Sequence, residues 1–452
     1  MNGTVFENIC HMALKTWMQQ AQTPVYWIGG LPRDQVLGVP ASSLDFDVTV
    51  VGNAMDAAHE LCAFDARFQV IDTFPQFATA QVNFTDRHPE TGSIGSVSVD
   101  LASTRTETYA FCGALPTVTR VGVSLLEDAY RRDFTLNTLA VDADGTLIDP
   151  TGRGLPDCQA HRLEVTYDTS FQDDPTRILR GFGLASRLNL TFSPHTEALI
   201  QAFLAQSPSL YPGGGDRVRR ALLKWFQVPE SSHKHHLMAC WLDWGGLSLW
   251  DARLCQEKRK FFAPEWYETL LVFDQSHLLT AAHRTMIYWL SLLAQTPLVR
   301  HDGLLEKFEA RREERQAFQG LRHLLSAASD TPLDQAWTRA LTPINKPADI
   351  VSLIEQAPFA AFLSWLALLP LEHRIPDWQT VWPMVLERYQ NQWASVGSPL
   401  TPRALMAAGL PQGSGISRAQ VALRQAALRG EISSASEALV WLNQYVLGAS
   451  TE

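Results

Sequence analysis

The feature that most constrains this chain is a glycine pair set ahead of two acids on a short apolar run. It reads Ile28-Gly29-Gly30-Leu31-Pro32-Arg33-Asp34, then Leu44-Asp45-Phe46-Asp47-Val48. Alternate residues of a strand project to one face, so Asp45 and Asp47 are expected to point together with Phe46 buried behind them. Two carboxylates that close repel each other. A divalent cation between them removes that cost, and Mg2+ takes oxygen ligands. Glycines let backbone N–H groups approach an anion closely. Together the parts fit a metal–triphosphate site; taken singly they also fit a hairpin turn and a solvated strand face.

With 452 residues, the chain has room for two to four domains. A 46% hydrophobic and 19% charged composition describes a soluble globular protein. No apolar run reaches the roughly 18–20 residues that span a bilayer, and Met1–Gln20 lacks the layout of a signal peptide. Six dispersed cysteines without a C-x-x-C pair argue against a zinc site or a disulfide framework. They suit a reducing, cytoplasmic setting. Residues 1–150 hold 8 Lys+Arg and 18 Asp+Glu, a net of −10; the remainder holds 29 of each sign. An acidic first domain suits metal-bound chemistry, while the rest must meet any polyanion through local basic patches.

Apolar spacing predicts a helix over residues 4–20, strands at Val25–Ile28 and Leu44–Val51, a helix starting at Arg33–Leu37, and a helix at Ala54–Leu61. Alternation predicts strands at Gln69–Thr73, Ala78–Phe84 and Ser96–Leu101, with Thr85–Gly95 as a polar loop. This is a mixed α/β domain with a small sheet. On the last strand Ile94, Ser96, Ser98 and Asp100 share one face, and Val97, Val99 and Leu101 take the other. Beside Asp45 and Asp47, Asp100 would complete a carboxylate set able to hold two Mg2+ ions.

Residues 105–130 read as loop-rich, and Glu127–Asn137 as a helix. In the latter, Arg132 suits phosphate, and Asp133 and Asn137 suit a ribose hydroxyl. Pairing of Asp128 with Arg131 and Arg132 at i, i+3 and i, i+4 is the simpler account of that stretch. Val141–Pro150 reads as a hairpin turning at Asp144-Gly145. Strand signals then fade. Asp173-Asp174-Pro175-Thr176-Arg177-Ile178-Leu179-Arg180 fits an aspartate N-cap with proline opening a helix. It also sets Asp174 and Arg177 on one face, an acceptor beside a donor. Cytosine and adenine both present an amino donor next to a ring-nitrogen acceptor, whereas uracil and guanine present a carbonyl and an N–H. Such a pair accepts C and A and rejects U and G.

In this order the motifs resemble the class II CCA-adding tRNA nucleotidyltransferases and bacterial poly(A) polymerases. The matching segments are Gly-Gly-x-x-Arg-Asp (29–34), Asp-x-Asp (45–47), Asp100 ahead of Thr104–Glu107, Arg-Arg-Asp-Phe-Thr-Leu-Asn (131–137), Ile148-Asp149-Pro150 and Asp-Asp-Pro-x-Arg-Ile-Leu-Arg (173–180). Gly215–Arg220 resembles the family's basic helix after the neck. Gly409–Gly413, Ala426–Ile432 and Ala438–Leu442 resemble its tail. Asp173 stands where the family usually has glutamate, and Pro32 where it has Val or Cys. Thr49–Ala54 is closer to the tRNA enzymes than to poly(A) polymerases, and Thr73–Phe77 lacks the basic segment of the latter. His301-Asp302 is not joined by the further ligands a phosphohydrolase domain needs.

The resemblance implies an α+β fold: an N-terminal nucleotidyltransferase palm with a small mixed sheet, then all-helical neck, body and tail, together a seahorse shape. The corresponding domains are 1–150 (head), 151–235 (neck, nucleotide selection), 236–395 (body) and 396–452 (tail, tRNA binding). It implies Asp45, Asp47 and Asp100 as catalytic metal carboxylates for Mg2+. It places Gly29, Gly30 and Arg33 at the triphosphate, Arg132, Asp133 and Asn137 at the nucleotide, and Asp174 and Arg177, followed by Arg180, at the base. The expected partners are the tRNA 3′ end with CTP and ATP as substrates, no membrane and no protein. The expected activity is addition of C, C and A. A-only addition comes second, poly(A) synthesis third and an inactive RNA-binding paralogue last. The gap between Glu107 and Arg131, residues 108–130, is long enough to speak against CC-only addition. Arg217, Arg220 and Lys224 are expected on one helix face toward RNA phosphates, with Lys258-Arg259-Lys260 as a second basic cluster. Arg311-Arg312-Glu313-Glu314-Arg315 reads as a solvated face. The tryptophans Trp225, Trp241, Trp244 and Trp250 read as core.

Overall fold

The structure is a computed structural model that describes residues 5–39, 46–206, 215–249, 264–294, 305–306, 310–330, 347–355, 357–368 and 378–444. The chain divides into two compact units, Met1–Lys258 and Arg259–Glu452.

The first unit opens with helix α1 (Val5–Met18), strand β1 (Val25–Ile28) and helix α2 (Gly30–Val36). Strand β2 (Phe46–Val50), helix α3 (Ala54–Phe64) and strands β3 (Phe68–Phe74), β4 (Thr79–Arg87) and β5 (Ile94–Ser103) follow. A hairpin of β6 (Arg105–Thr108) and β7 (Thr117–Val121) leads to helix α4 (Leu125–Ala129). Strands β8 (Ala140–Val141) and β9 (Leu147–Ile148) then close a seven-stranded sheet of order β3-β4-β5-β2-β1-β8-β9. Only β2 and β5 pair in parallel; the other neighbours are antiparallel. The alternation of β5 is as expected, with Val97, Val99 and Leu101 buried and Ser96, Ser98 and Asp100 exposed. One face packs under α1 and α3, through Leu14, Trp17, Ala57, Ala58 and Leu61.

Four local expectations need correction. Helix α2 begins at Gly30, three residues earlier than Arg33, because Pro32 fits a first helical turn, where its missing N–H costs nothing. The stretch Thr85–Gly95 is mostly strand: β4 and β5 stay paired out to Arg87 and Ile94. There the ring of Phe6 lies where a Cβ on Gly95 would sit, 2.4 Å from its Cε2, so α1 reaches the sheet only over a glycine. Residues 105–130 contain the antiparallel β6–β7 pair. Neither strand has a uniformly apolar face, so no burial period marked them. Finally, the helix expected over Glu127–Asn137 stops at Ala129, turns, and resumes as a 3-10 turn at Thr135–Thr138. The side chain of Asp128 is fully buried and draws Arg131 and Arg132 back onto itself. The ion pairing expected for a continuous helix therefore forms without one.

The rest of the first unit is helical: α5 (Gly154–Gln159), a short β10–β11 pair (Arg162–Leu163 and Thr191–Phe192), α6 (Ser170–Asp173), α7 (Thr176–Leu188), α8 (Pro194–Ala205), α9 (Gly215–Phe226) and α10 (Ser232–Asp243). Helices α7 and α9 approach closely because Gly183 leaves room for Trp225, whose ring stacks on Phe182 at 5.1 Å. The Trp225 indole donates to Ser186 Oγ at 2.8 Å. Trp225 and Trp241 are buried, as expected of core residues; Trp250 lies outside the described residues.

The regular elements described in the second unit are all helices, from Pro264–Gln275 to Ala435–Leu442. Its last three helices share a core of Leu405, Leu423, Ala426, Ala438 and Leu442. Among the described residues no helix is long and apolar enough to cross a membrane.

Candidate functional site

Strand β1 delivers the glycine pair. Gly29 sits at φ 74°, a left-handed conformation, and caps α2. A Cβ there would also lie 3.2 Å from Asp47 Oδ2. Both facts call for glycine. Asp47 on β2 and Asp100 on β5 are direct partners in the parallel register, so the two carboxylates stand about 5 Å apart at the backbone, on one face. Asp100 Oδ1 accepts from Gln81 Nε2 at 3.2 Å. These groups open into a cavity of about 440 Å³ lined also by Gly29, Arg105, Arg131 and Arg132. Two oxygen donors in register, with a glycine cleared beside them, fit a hard divalent cation. Asp45 lies outside the described residues, and among those described no group of three metal-ligating side chains occurs.

A second, larger cavity of about 1330 Å³ shares Gly29, Asp47, Arg131 and Arg132 with the first. Gly30, Arg33, Asp133, Asn137, Asp174, Arg177, Arg180 and Lys224 line it as well. The structure thus gathers residues spread over almost 200 positions. Arg33 is 5% exposed and bonds Asp34 Oδ1 at 2.7 Å through Nε and Asn137 Oδ1 at 2.6 Å through Nη1. Asn137 in turn donates to Asp133 Oδ1 at 2.9 Å. Burial alone pushes the Asp133 carboxyl up. Arg180, Asn137 and Arg177 outweigh it and hold the group below the usual aspartate value. Arg132 gives both Nε and Nη2 to Asp128 Oδ2, at 3.1 and 2.6 Å. Asp128 is likewise held low: its burial is more than offset by Arg132 and Arg131.

The start of α7 supplies the other end. Asp174 is 5% exposed. Its Oδ1 accepts from the Thr176 backbone N–H at 3.0 Å and from Thr176 Oγ1 at 2.6 Å; the helix begins one residue later than expected, with Pro175 rather than Asp174 in the cap position. Its Oδ2 accepts from Arg217 Nη2 at 2.7 Å and from Arg180 Nη1 at 3.5 Å. Arg177 is 3% exposed and lies between the rings of Tyr109 and Tyr167.

The three residues expected to face RNA from α9 are in different surroundings. Arg217 bonds Asp174 and the Gly113 carbonyl, the latter at 3.1 Å. Lys224 is exposed at the rim of the larger cavity. Arg220 pairs with Asp216 on its own helix at 2.7 Å. Lys258-Arg259-Lys260 and His301-Asp302 lie outside the described residues. Sequence reasoning missed Glu107, Tyr109 and Tyr167 as members of the site. Nothing in their spacing pointed to it. The signal for Asp128 was its i, i+3 and i, i+4 offset from the two arginines.

Residues 25–164, which contain the glycine turn, both described aspartates and the Arg131–Asn137 segment, match the model of the poly A polymerase head domain. The similarity to this family lies in these residues. The chain is 41% identical over 186 residues to an A-adding tRNA nucleotidyltransferase of Geobacter sulfurreducens, covering 40% of this chain and 19% of that protein. It is 37% identical over 180 residues to a multifunctional CCA protein of Azoarcus sp., covering 40% and 39%. The chain thus spans between about a fifth and two fifths of the length of these relatives. Among solved structures, a CCA-adding enzyme in apo form II aligns over 98% of this chain and 96% of that one, with a TM-score of 0.67 and 21% identity. The Thermotoga maritima CCA-adding enzyme complexed with tRNA-CCA covers the same shares, with a TM-score of 0.63 and 20% identity. At that identity the likeness concerns the fold. The fold is the expected α+β arrangement, a mixed sheet followed by helices.

Proposed function

We propose that this chain is a template-independent nucleotidyltransferase that extends the 3′ end of tRNA with C, C and A. The observation that carries this reading is the register of Asp47 and Asp100 at a cavity that shares Gly29, Asp47, Arg131 and Arg132 with a larger one lined by Asp174 and Arg177. The shared wall suits a metal-bound triphosphate and the larger cavity a base edge. The tRNA 3′ hydroxyl attacks the α-phosphorus of CTP or ATP, the bond to the β-phosphate oxygen breaks, and pyrophosphate leaves.

Asp47 and Asp100 would hold Mg2+, with Asp45 as third carboxylate by family resemblance. Bound Mg2+ supplies positive charge for activating the hydroxyl and for neutralising the leaving group. Gly29 and Gly30 give the triphosphate close access to backbone N–H groups. Arg131 and Arg132, held by Asp128, stand where the two cavities meet and place positive charge beside the phosphates. Asp133 and Asn137 face the sugar. Asp174 accepts from the exocyclic amino group of C or A.

A second reading is addition of the final A alone. Its support is that two relatives, from Geobacter sulfurreducens at 41% identity and Aquifex aeolicus at 39%, carry the name A-adding tRNA nucleotidyltransferase. One experiment separates the readings. The protein is incubated with tRNA ending before CCA, after C and after CC, each with a single labelled nucleotide. Label from CTP on the first two and from ATP on the third supports CCA addition. Label only from ATP on the CC-ending tRNA assigns A addition. Processive oligo(A) on unrelated RNA would overturn both in favour of a poly(A) polymerase.

A further inference from the structure

The smaller cavity extends past the carboxylates. Phe74, Thr79, Gln81 and Asp100 line it and do not line the larger one. Strand register places them. Gln81 of β4 lies directly opposite Asp100 of β5, and Thr79 lies opposite Ala102. Phe74 of β3 lies opposite Thr79. All of them share the face that carries Asp47 and Asp100, the one turned away from α1 and α3. One row across the sheet runs Asp47, Asp100, Gln81; the next runs Ala102, Thr79, Phe74. Phe74 thus stands two strand spacings, about 10 Å, from the strand that bears Asp100.

The charged part of this cavity is already engaged. Arg105 Nε meets Glu107 at 3.2 Å, Arg131 Nε meets Asp128 at 2.8 Å and Arg132 Nη2 meets Asp128 at 2.6 Å. The neutral part is not. Gln81 donates from Nε2 to Asp100 Oδ1 at 3.2 Å. A carboxylate only accepts, so this contact fixes which way the amide points. Among the described residues Gln81 Oε1 and the Thr79 hydroxyl make no side-chain hydrogen bond. The Phe74 ring is 36% exposed and has no aromatic partner among them. An open ring face and uncharged acceptors, in a space of about 440 Å³, suit a nucleoside better than a phosphate. A ring stacks on a base, and an amide oxygen or a hydroxyl meets sugar hydroxyls.

We propose that this part of the smaller cavity seats the 3′-terminal ribonucleoside of the acceptor RNA, with Gln81 Oε1 accepting from its 2′-hydroxyl and Phe74 stacking on its base. The inference rests on the nucleotide-transfer reading above. In that reaction the attacking and leaving oxygens lie roughly in line through the α-phosphorus. The incoming nucleotide takes the larger cavity and the wall the two share, which leaves the space beyond Asp100 for the nucleoside that brings the attacking hydroxyl. Asp100 then stands between the two substrates, and Gln81 beside it meets the sugar next to the reacting oxygen. Ala102, small and opposite Thr79, leaves room over β5 for the sugar ring. The 2′-hydroxyl distinguishes RNA from DNA, so Gln81 gives the site its preference for a ribose end.

The test uses the full chain with Mg2+, ATP and CC-ending tRNA whose last sugar is ribose or 2′-deoxyribose, the 3′-hydroxyl being kept in both. Wild type is expected to favour the ribose end by about tenfold in kcat/KM, the effect of one hydrogen bond. Gln81→Met keeps the length of the side chain and removes the acceptor; the preference should vanish while KM for ATP holds. Phe74→Ala should raise KM for both tRNAs about tenfold, and Phe74→Trp should restore it. A tRNA ending in 4-thiouridine reads the position without turnover: on irradiation it should crosslink to the segment Phe74–Gln81. Three results overturn the inference: no ribose preference in wild type, a loss in Gln81→Met that is equal for both tRNAs, or crosslinks confined to α9. The second would leave Gln81 as a support for Asp100 alone. All three leave the transfer reading standing. A wild-type protein that adds nothing to any tRNA end overturns that reading and the inference with it.

Discussion

The two adjoining cavities are built on opposite plans. At the glycine end Asp47 and Asp100 stand side by side on neighbouring strands. Asp100 is exposed and, among the described residues, accepts one side-chain hydrogen bond, from Gln81 Nε2 at 3.2 Å. At the α7 end Asp174 and Arg177 are almost wholly buried; Asp174 receives four donors and Arg177 gives four of its five N–H groups to the protein. On the function proposed above, the difference follows from what each site would have to do. An exposed carboxylate such as Asp100 keeps oxygen surface open to a cation, which would then supply the order. A pair meant to choose between bases must be rigid before the base arrives, since a side chain that can turn will satisfy either edge.

The contrast is open to test, first at its most exposed point. Asp100→Ala, or Asp47→Ala, should cost several kcal/mol of transition-state stabilisation, about 10³-fold or more in nucleotide incorporation. The melting temperature should change little for Asp100→Ala, because its side chain is exposed; activity within tenfold of wild type would end the metal assignment. Asp174→Asn comes next. It keeps the shape but turns an acceptor into a donor facing Arg217, and should reduce kcat/KM for C or A by about 10²-fold. Unlike the strand aspartates it should also lower the melting temperature, because it loosens three bonded partners. If both ends respond alike in stability, the contrast fails.

Gly29→Ala should act on both measures more mildly. The left-handed φ costs about 1–2 kcal/mol in stability, and the added Cβ presses on Asp47 Oδ2. Incorporation should fall about tenfold at saturating Mg2+ and further at limiting Mg2+. The buried arginine holder offers a test by pH. The Asp128 carboxyl lies below the ordinary aspartate pKa in the folded protein. Its contribution to stability is therefore complete above about pH 4, the unfolded value. It is lost as pH falls through the lower folded value. Thermal melts should show Asp128→Asn destabilised near neutrality and converging on wild type in acid; a gap that persists in acid would assign the loss to packing. The smallest effect belongs to Arg220→Ala. Its pair with Asp216 has an arginine side chain 69% exposed, and such surface pairs contribute about 0–1 kcal/mol. Nucleotide preference should be unchanged, whereas a loss of it would bring Arg220 into the proposed base-reading site.

Much of the scaffold was legible along the chain. The alternating residues of β5 predicted which face Asp100 takes, because a period of two sorts side chains before any neighbour is known. The β8–β9 hairpin was legible from Asp144-Gly145: Gly145 sits at φ 91°, and Asp142 Oδ1 accepts from the Asp144 and Thr146 backbone. The β6–β7 pair was not, since neither of its faces is uniformly apolar. The end of α4 was not legible either. Local spacing favoured a longer helix, and a wholly buried aspartate overrode it.

By itself the sequence determined which residue types this protein offers: a glycine turn, strand aspartates and an Asp/Arg pair three apart at a helix start. Those depend on short-range geometry, which spacing encodes. Tertiary structure alone decided that Asp47 and Asp100 share a register position across 53 residues, and that Arg217 lies against Asp174. It also decided that two tyrosines, one from a hairpin and one from the segment before α6, close on the tip of Arg177. Those contacts join segments whose separation along the chain carries no period. The buried site holds them in place because, once water is excluded, each polar atom must find its partner in the protein or in the substrate.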